Sequence, residues 1–253
     1  MLIDAHCHPF DLASHFPNAE EERRRLCVKA LASACDFEEF TFNKNIAKKA
    51  AQEGAVPLLP CFAVHPQGLA QNAEQDLQTL DLLAKEGQLS AVGECGFDLY
   101  NEGFRETEAL QDRIFAAHLE TALLYDLPIV LHVRKAMHKI FAAAALTKCK
   151  AVIFHSWPGT LEEGNALLRR GINAYFSFGN TIINGHKKAI QSCMSLPAQR
   201  LLTETDAPWQ PRRGQKVSSW EDLPKIIETA AALRGVCAKD LETQIENNFS
   251  AIF

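Results

Sequence analysis

Near its start the sequence reads LIDAHCH (residues 2–8), a short apolar run that ends in two histidines. Side chains alternate between the two faces of a β-strand, so His6 and His8 share one face while Cys7 points to the other. Two imidazoles at this spacing can bind one metal ion, and Asp4 lies one step deeper on the same face, where it can orient a histidine. This motif is weak by itself, but it predicts a strand with polar chemistry at its carboxyl end.

The rest of the chain repeats this arrangement, with short apolar runs separated by longer helical patterns. We predict strands at residues 2–5, 28–34, 56–62, 90–92, 128–131, 151–154, 173–177 and 200–202. Residues 107–125 carry apolar side chains at helical spacing, and the alanine-rich segment 136–147 also favours a helix. A capping-box pattern, Ser218-x-x-Glu221, opens another helix that Gly235 closes.

Alternating strands and helices indicate parallel strands with right-handed crossovers. About eight strands in 253 residues favour a closed barrel over an open sheet, because one (β/α)₈ barrel takes roughly 250 residues. The sequence has no linker-like or low-complexity stretch. We therefore predict an α/β fold, a (β/α)₈ TIM barrel, with residues 1–253 forming a single domain.

Composition excludes several classes of protein. Hydrophobic residues make up 47%, enough for a large core, and no apolar run approaches the roughly 20 residues that span a bilayer. The eight cysteines include no Cys-x-x-Cys pair and no secretory signal is visible, which favours reduced thiols in the cytoplasm. The net charge of −5 disfavours nucleic-acid binding through overall charge, so phosphate recognition would need a local patch or a bound metal.

Six potential metal ligands follow apolar runs at predicted strand ends. In a parallel barrel these ends meet at one rim, which is where active sites of this fold lie. Imidazole nitrogens with two carboxylates suit Zn, Mn or Co, whereas Mg prefers more oxygen ligands. Six ligands also exceed the roughly three that one catalytic zinc takes from protein, so we predict two metals roughly 3.5–4 Å apart. The ligands are His6, His8, Glu94, His132, His155 and Asp206.

Each of these residues also has a simpler interpretation. A lone histidine at a strand end is usually only hydrogen-bonded, and Glu94 and Asp206 would suit helix caps or salt bridges. Glycines at 93 and 96 permit close backbone approach around Glu94, and Pro208 restricts the turn after Asp206, which favours the site.

Other polar residues are expected to belong to the surface. His118 is expected at the surface or an interface, and the pairs Lys187-Lys188 and Arg212-Arg213 as solvated charge. Trp209 follows the last predicted strand together with Arg212, Arg213 and Lys216, so it borders the same rim. In that position these residues either contact phosphates or stack on a base, or they have no role in binding.

These motifs together resemble the TatD family of metal-dependent hydrolases, within the amidohydrolase superfamily. The resemblance implies a TIM barrel with two metals, one held by His6, His8, Glu94 and Asp206, the other by Glu94, His132 and His155. It also implies that His65 and Arg134 face a substrate phosphate, and that the activity is that of DNases with exonuclease action, usually magnesium-dependent. The matching segments are residues 3–8, 64–66, 92–94, 127–134, 154–159, 202–208 and 248–253.

Several rim segments depart from the family pattern. Ala63 replaces the usual Gly, Trp157-Pro158 replaces the usual filling after His155, and residues 97–102 and 214–219 lack common family motifs. Because the ligands survive, these departures bear on substrate preference rather than on hydrolysis.

We therefore expect hydrolysis of DNA phosphodiester bonds by metal-activated water, with catalytic roles for Asp206 as general base and for Glu94. The cofactors would be two divalent ions per chain, Zn, Mn or Mg, and DNA would be the substrate, with no membrane and no obligate protein partner. One alternative keeps the site but hydrolyses a small ester, amide or lactone. Another is a scaffold or nucleic-acid-binding module whose metal site is vestigial.

Overall fold

A computed structural model describes residues 1–69 and 73–253, which form one parallel sheet of eight strands in the order of the sequence. Leu2 lies opposite Val28 at the first pair of strands, whose register shifts between Asp4 and Cys7, and Phe176 lies opposite Leu201 at the last pair. The strands are β1 (Leu2–Cys7), β2 (Val28–Ala32), β3 (Leu58–Phe62), β4 (Ala91–Asp98), β5 (Ile129–Arg134), β6 (Val152–Phe154), β7 (Ala174–Phe178) and β8 (Leu201–Thr203).

Hydrogen bonds join the first strand to the last and bring the edges of the sheet together. Thr203 Oγ1 donates to the Ile3 carbonyl at 2.8 Å, and Asp206 N donates to the His6 carbonyl at 2.9 Å. With helices between the strands, this makes the (β/α)₈ barrel that the sequence predicts.

Helices follow the strands and cover the outside of the barrel. Short 3-10 turns lie at Ala144–Lys148, Ala198–Arg200 and Trp220–Asp222. The α-helices are α1 (Pro9–His15), α2 (Ala19–Arg25), α3 (Phe37–Gln52), α4 (Ala73–Lys85), α5 (Glu102–Glu106), α6 (Glu108–Leu124), α7 (Met137–Ala142), α8 (Leu161–Arg169), α9 (Asn180–Ile183), α10 (Lys187–Ser195), α11 (Leu223–Arg234) and α12 (Ala238–Ser250). None of the helices in the described ranges is long and apolar enough to cross a membrane.

The barrel wall is buried on both faces, as its continuous apolar strands require. All eight residues of β4 are buried, and so are the five of β7. Side chains such as Leu31, Val130 and Phe154 have no exposed surface. This packing gives the strand ends fixed positions, from which the site is built.

Most predicted strands differ from the observed ones by one to three residues at an end, and two predicted elements differ by more. β4 continues to Asp98 instead of stopping at residue 92, because pairing with β5 carries Gly93 and Gly96 through positions that local propensity disfavours. The predicted helix 136–147 breaks after Ala142, and the chain continues as a 3-10 turn that buries Leu146. No helix-breaking residue marks this point, so tertiary packing decides it.

The predicted capping box is displaced by one residue. Ser219 and Asp222 form it, in the 3-10 turn before α11, while Gly235 ends α11 with φ at +66° as predicted.

The placement of His118 was wrong. Its side chain is fully buried, and its Nε2 accepts a hydrogen bond from Val64 N at 3.0 Å. The helical pattern cannot distinguish a polar residue turned toward the barrel wall from one turned toward solvent.

Candidate metal centre

The six predicted ligands converge at the carboxyl ends of the strands. His6 Nε2 lies 3.1 Å from His8 Nε2 and 3.5 Å from Asp206 Oδ1, and both histidines are buried. His155 Nε2 lies 3.1 Å from Glu94 Oε1. Residues 200 positions apart in the chain therefore share one cluster.

Glu94 is the centre of this cluster, and its two oxygens face different histidines. Oε1 lies 2.8 Å from His132 Nδ1 and 3.1 Å from His155 Nε2. Oε2 lies 3.1 Å from His6 Nε2 and 3.6 Å from His8 Nε2. One carboxylate thus contacts two pairs of imidazoles, one pair through each oxygen, as a ligand that bridges two metal ions would.

Two glycines allow β4 and β5 to come this close. A Cβ on Gly93 would lie 2.5 Å from Val130 Cβ, and one on Gly96 would lie 2.3 Å from the His132 carbonyl oxygen. Gly96 also has φ at +129°, which favours glycine. The predicted close approach around Glu94 is confirmed, and it delivers the carboxylate to the β5 histidine.

Asp206 sits in a strained turn directly after β8. Its φ of +54° is unusual for a residue other than glycine and costs on the order of 1–3 kcal/mol. Surrounding bonds hold the turn: Thr205 N and Oγ1 donate to the Asp4 carboxylate at 2.9 and 2.6 Å. Asp4 therefore orients the β8 turn, whereas the His6 ring has Ser33 Oγ 3.1 Å from its Nδ1.

A second layer of polar side chains contacts the ligands, and sequence reasoning missed it. Asp98 Oδ2 lies 3.2 Å from His132 Nε2, and Glu204 Oε1 lies 3.4 Å from His155 Nδ1. Gln210 Nε2 donates to Asp206 Oδ2 at 2.6 Å, and its Oε1 accepts from Ser156 Oγ at 2.9 Å. Asp98 follows Glu94 by four positions on one strand face, a signal that could have identified it; nothing local marks Gln210.

The electrostatics of the cluster favour carboxylates in their charged form. Burial alone would raise the pKa of Glu94, but His155, His65 and His6 outweigh it and hold that pKa well below its usual value. Burial likewise opposes the charge on His155, yet Glu94, Glu204 and Asp206 raise its pKa well above normal. The cluster thus holds protons between imidazoles and carboxylates, the positions that a divalent cation would take instead.

The donor set fits such a cation. Two adjacent ligands bound at roughly 2.0–2.1 Å lie roughly 2.8–3.4 Å apart in octahedral or tetrahedral geometry, and the two Nε2 atoms of His6 and His8 are 3.1 Å apart. Among the residues that the structure describes, three groups have ligand atoms within 4.8 Å of one another. They are His6-His8-Asp206, His6-Glu94-His155 and His65-Glu94-His132.

The two residues assigned to substrate phosphate have different surroundings. His65 is largely buried, with Nε2 3.3 Å from Glu94 Oε1, so its position also suits a ligand. Arg134 is half exposed, and its guanidinium carbon lies 3.7 Å above the Tyr100 ring. Its Nη1 is 3.9 Å from Asp98 Oδ2.

A cavity of about 920 Å³ opens above the cluster. Lys187 and Lys188, expected as plain surface charge, line it, and so does Trp209. Arg212 does not line it, because its Nε is 2.7 Å from Asp222 Oδ1. The lining residues are His8, Asp11, Cys35, His65, Gln67, Glu94, His132, Val133, Arg134, His155, Ser156, Trp157, Pro158, Thr181, His186, Lys187, Lys188, Ala189, Asp206, Trp209 and Gln210.

Known proteins resemble the chain in sequence and in structure. The 3'-5' ssDNA/RNA exonuclease TatD of Erwinia tasmaniensis is 33% identical over 200 residues, covering 75% of this chain and 76% of its own. That of Escherichia fergusonii is 26% identical, covering 96% and 98%. A crystal structure of a TatD homolog from Escherichia coli superposes with a TM-score of 0.88 at 26% identity, covering 100% of this chain and 97% of its own.

A family model confirms the resemblance seen in the motifs. The model described as TatD related DNase matches residues 3–253. This match includes every strand end that carries a predicted ligand. The protein therefore belongs to the TatD-related DNase family and is a hydrolase.

Proposed function

We propose that this hydrolase cleaves phosphodiester bonds of DNA with the help of two bound divalent metal ions. The observation that carries the proposal is the Glu94 carboxylate, shared between two sets of imidazoles at the bottom of an open cavity. The relatives named as ssDNA/RNA exonucleases support a nucleic-acid substrate. They do not favour the alternative of a small ester, amide or lactone.

The residues divide between two metal positions. His6, His8 and Asp206 would hold one ion and His132 and His155 the other, with Glu94 bridging both. Divalent cations in these positions would activate water and neutralise charge on the phosphoryl group. The nitrogen-rich donor set suits Zn or Mn better than Mg, which prefers oxygen ligands.

Side chains of the protein would accept the proton from water and bind the phosphate. Asp206 would act as general base, with Oδ1 facing His6 and His8 while Gln210 fixes Oδ2. His65 and Arg134 would contact the phosphoryl oxygens from the cavity wall, where charge-assisted hydrogen bonds are strong. No protein nucleophile is needed for this reaction.

We also propose a cytoplasmic location without an obligate protein partner. All eight cysteines are free thiols, which is the usual state in a reducing compartment.

Metal content and activity test this function together. Purified protein is stripped with chelator, reloaded with Mg, Mn or Zn, and assayed for bound metal and for cleavage of single-stranded, duplex and abasic duplex DNA. Ester and amide substrates are run in parallel, with Asp206→Asn as the control. We expect about two ions per chain and DNA cleavage that the variant loses; failure of every metal form to cleave any phosphodiester rules the proposal out.

A further inference from the structure

The charged residues that line the cavity are unevenly distributed around its rim. Its lysine and arginine residues are Arg134, at the end of β5, and Lys187 and Lys188, at the start of α10. The wall formed by the ends of β1 to β3 contributes none of these and carries Asp11 instead. A polyanion entering the cavity would therefore lie along the β5–β8 side.

An exposed tryptophan completes this side of the rim. Trp209 follows β8 and is 51% exposed, whereas Trp157 and Trp220 are 3% and 1% exposed. A large aromatic ring that lines a cavity yet remains open to solvent provides a surface on which a base can stack.

The backbone around Trp209 is held firmly in place. Its carbonyl accepts a hydrogen bond from Ser218 Oγ, and the neighbouring Pro208 carbonyl accepts from Ser218 N at 3.0 Å. The Gln210 carbonyl accepts from Asn180 Nδ2 at 3.1 Å. The ring is thus carried by a fixed loop, which reduces the entropy lost on binding.

The two lysines have charge to offer a ligand. Both are exposed, and within residues 1–69 and 73–253 neither ammonium group forms a salt bridge with a carboxylate. Adjacent like charges repel each other, and a phosphate placed between them would relieve that repulsion.

We propose that Trp209 and the Lys187-Lys188 pair form a subsite for the nucleotide next to the scissile bond, with its base stacked on the indole and its phosphate held by the lysines. The inference rests on the proposed function and specifies the path of the substrate. Stacking on Trp209 requires a base that is not paired in a duplex, so this subsite selects unpaired strands.

Binding of a cleavage-resistant strand tests the subsite independently of catalysis. Metal-loaded protein is titrated into a labelled single-stranded phosphorothioate oligothymidylate, and affinity is followed by fluorescence anisotropy and by quenching of Trp209. We expect Trp209→Ala to weaken binding about tenfold and Trp209→Phe, which keeps a stacking ring, to remain within about threefold of wild type.

The lysines are tested through salt dependence. The double variant Lys187→Gln/Lys188→Gln should lower the slope of log affinity against log salt by about 0.7 to 1.4, the value for one or two phosphate contacts on a single strand. The matched control is Lys148→Gln/Lys150→Gln, which removes two exposed lysines that precede β6 at the opposite end of the barrel. This control should leave the slope unchanged.

Hydrolysis of a phosphodiester without a flanking nucleotide separates the two proposals. Wild type should hydrolyse bis(p-nitrophenyl) phosphate, which reports on the metal centre without a nucleotide, and Trp209→Ala should lose activity on the strand through a higher KM. If Trp209→Ala binds the oligonucleotide as well as wild type, the subsite is overturned even when DNA is cleaved. If wild type cleaves no phosphodiester, the proposed function falls, and the binding difference between Trp209→Ala and Trp209→Phe still decides the subsite.

Discussion

The floor and the rim of the cavity are built in different ways. On the floor, Glu94 lies within β4 and Asp206 lies in the turn after β8, and both side chains are buried. On the rim, Trp209, Lys187 and Lys188 are exposed and are carried by loops or helix starts. The difference indicates that the barrel determines which reaction is possible, whereas the loops determine which substrate reaches it.

Glu94→Gln changes only the floor of the cavity and should have the largest effect on metal content and on DNA cleavage. The amide removes the shared negative charge between the imidazoles, so we expect metal content to fall and DNA cleavage to drop at least about 1,000-fold. Metal analysis with the cleavage assay measures this, with the exposed Glu106→Gln as the control. Retention of both metals and activity would contradict the bridging role.

Asp98→Asn tests a floor residue that contacts the predicted ligand His132 without being a predicted ligand itself. Asp98 is buried, and although burial opposes its ionisation, hydrogen bonds from His132, Gln67 and Tyr100 N lower its pKa to about 2. Losing this charge beside His132 Nε2 should weaken metal affinity or activity 10- to 100-fold, roughly the effect of removing a partner of a metal-bound histidine. A metal titration checks it against Asp112→Asn on α6, and equal affinities would show that His132 needs no such partner.

Gln210→Ala tests the contact between the two regions, because Gln210 follows the rim residue Trp209 and donates a hydrogen bond to the floor residue Asp206. Without the bond to Asp206 Oδ2, the carboxylate can rotate, and we expect kcat to fall about 3- to 10-fold with KM little changed. Gln215→Ala, an exposed position in the same loop, serves as the control. A change confined to KM would assign Gln210 to substrate binding instead.

His118→Gln should affect stability and its pH dependence, with the smallest effect on activity. Burial lowers the pKa of His118 from 6.5 to about 3, so the unfolded chain binds the additional proton between these values. Titration of His118 therefore leaves the free energy of unfolding unchanged above pH 6.5. That free energy decreases as the pH falls from 6.5 toward 3, by at most about 1.4 kcal/mol per pH unit.

Urea unfolding at several pH values measures this difference. The free energy of unfolding of wild type relative to His118→Gln should decline between pH 6.5 and 4, whereas the exposed control His138→Gln should show no such decline. A pH-independent difference would mean that His118 is not held neutral by the fold.

The sequence predicts the floor better than the rim for a physical reason. His6 and His132 lie within two residues of the ends of β1 and β5, and His155 directly follows β6, so the parallel barrel alone places them together. Lys188 and Gln210 depend on how loops pack after the strands are in place, and no local pattern records that. His118 was misplaced for the same reason, since its partner is Val64, 54 positions away.

The bonds from Thr205 to Asp4 span 201 positions of the chain. During synthesis, His6 and His8 leave the ribosome long before Asp206. The cluster of these three side chains can therefore form only when translation is nearly complete. A nascent or truncated chain that ends before β8 therefore lacks Asp206, so the proposed position at His6 and His8 would be completed only after the last strand has docked, whereas Glu94, His132 and His155 all precede that strand.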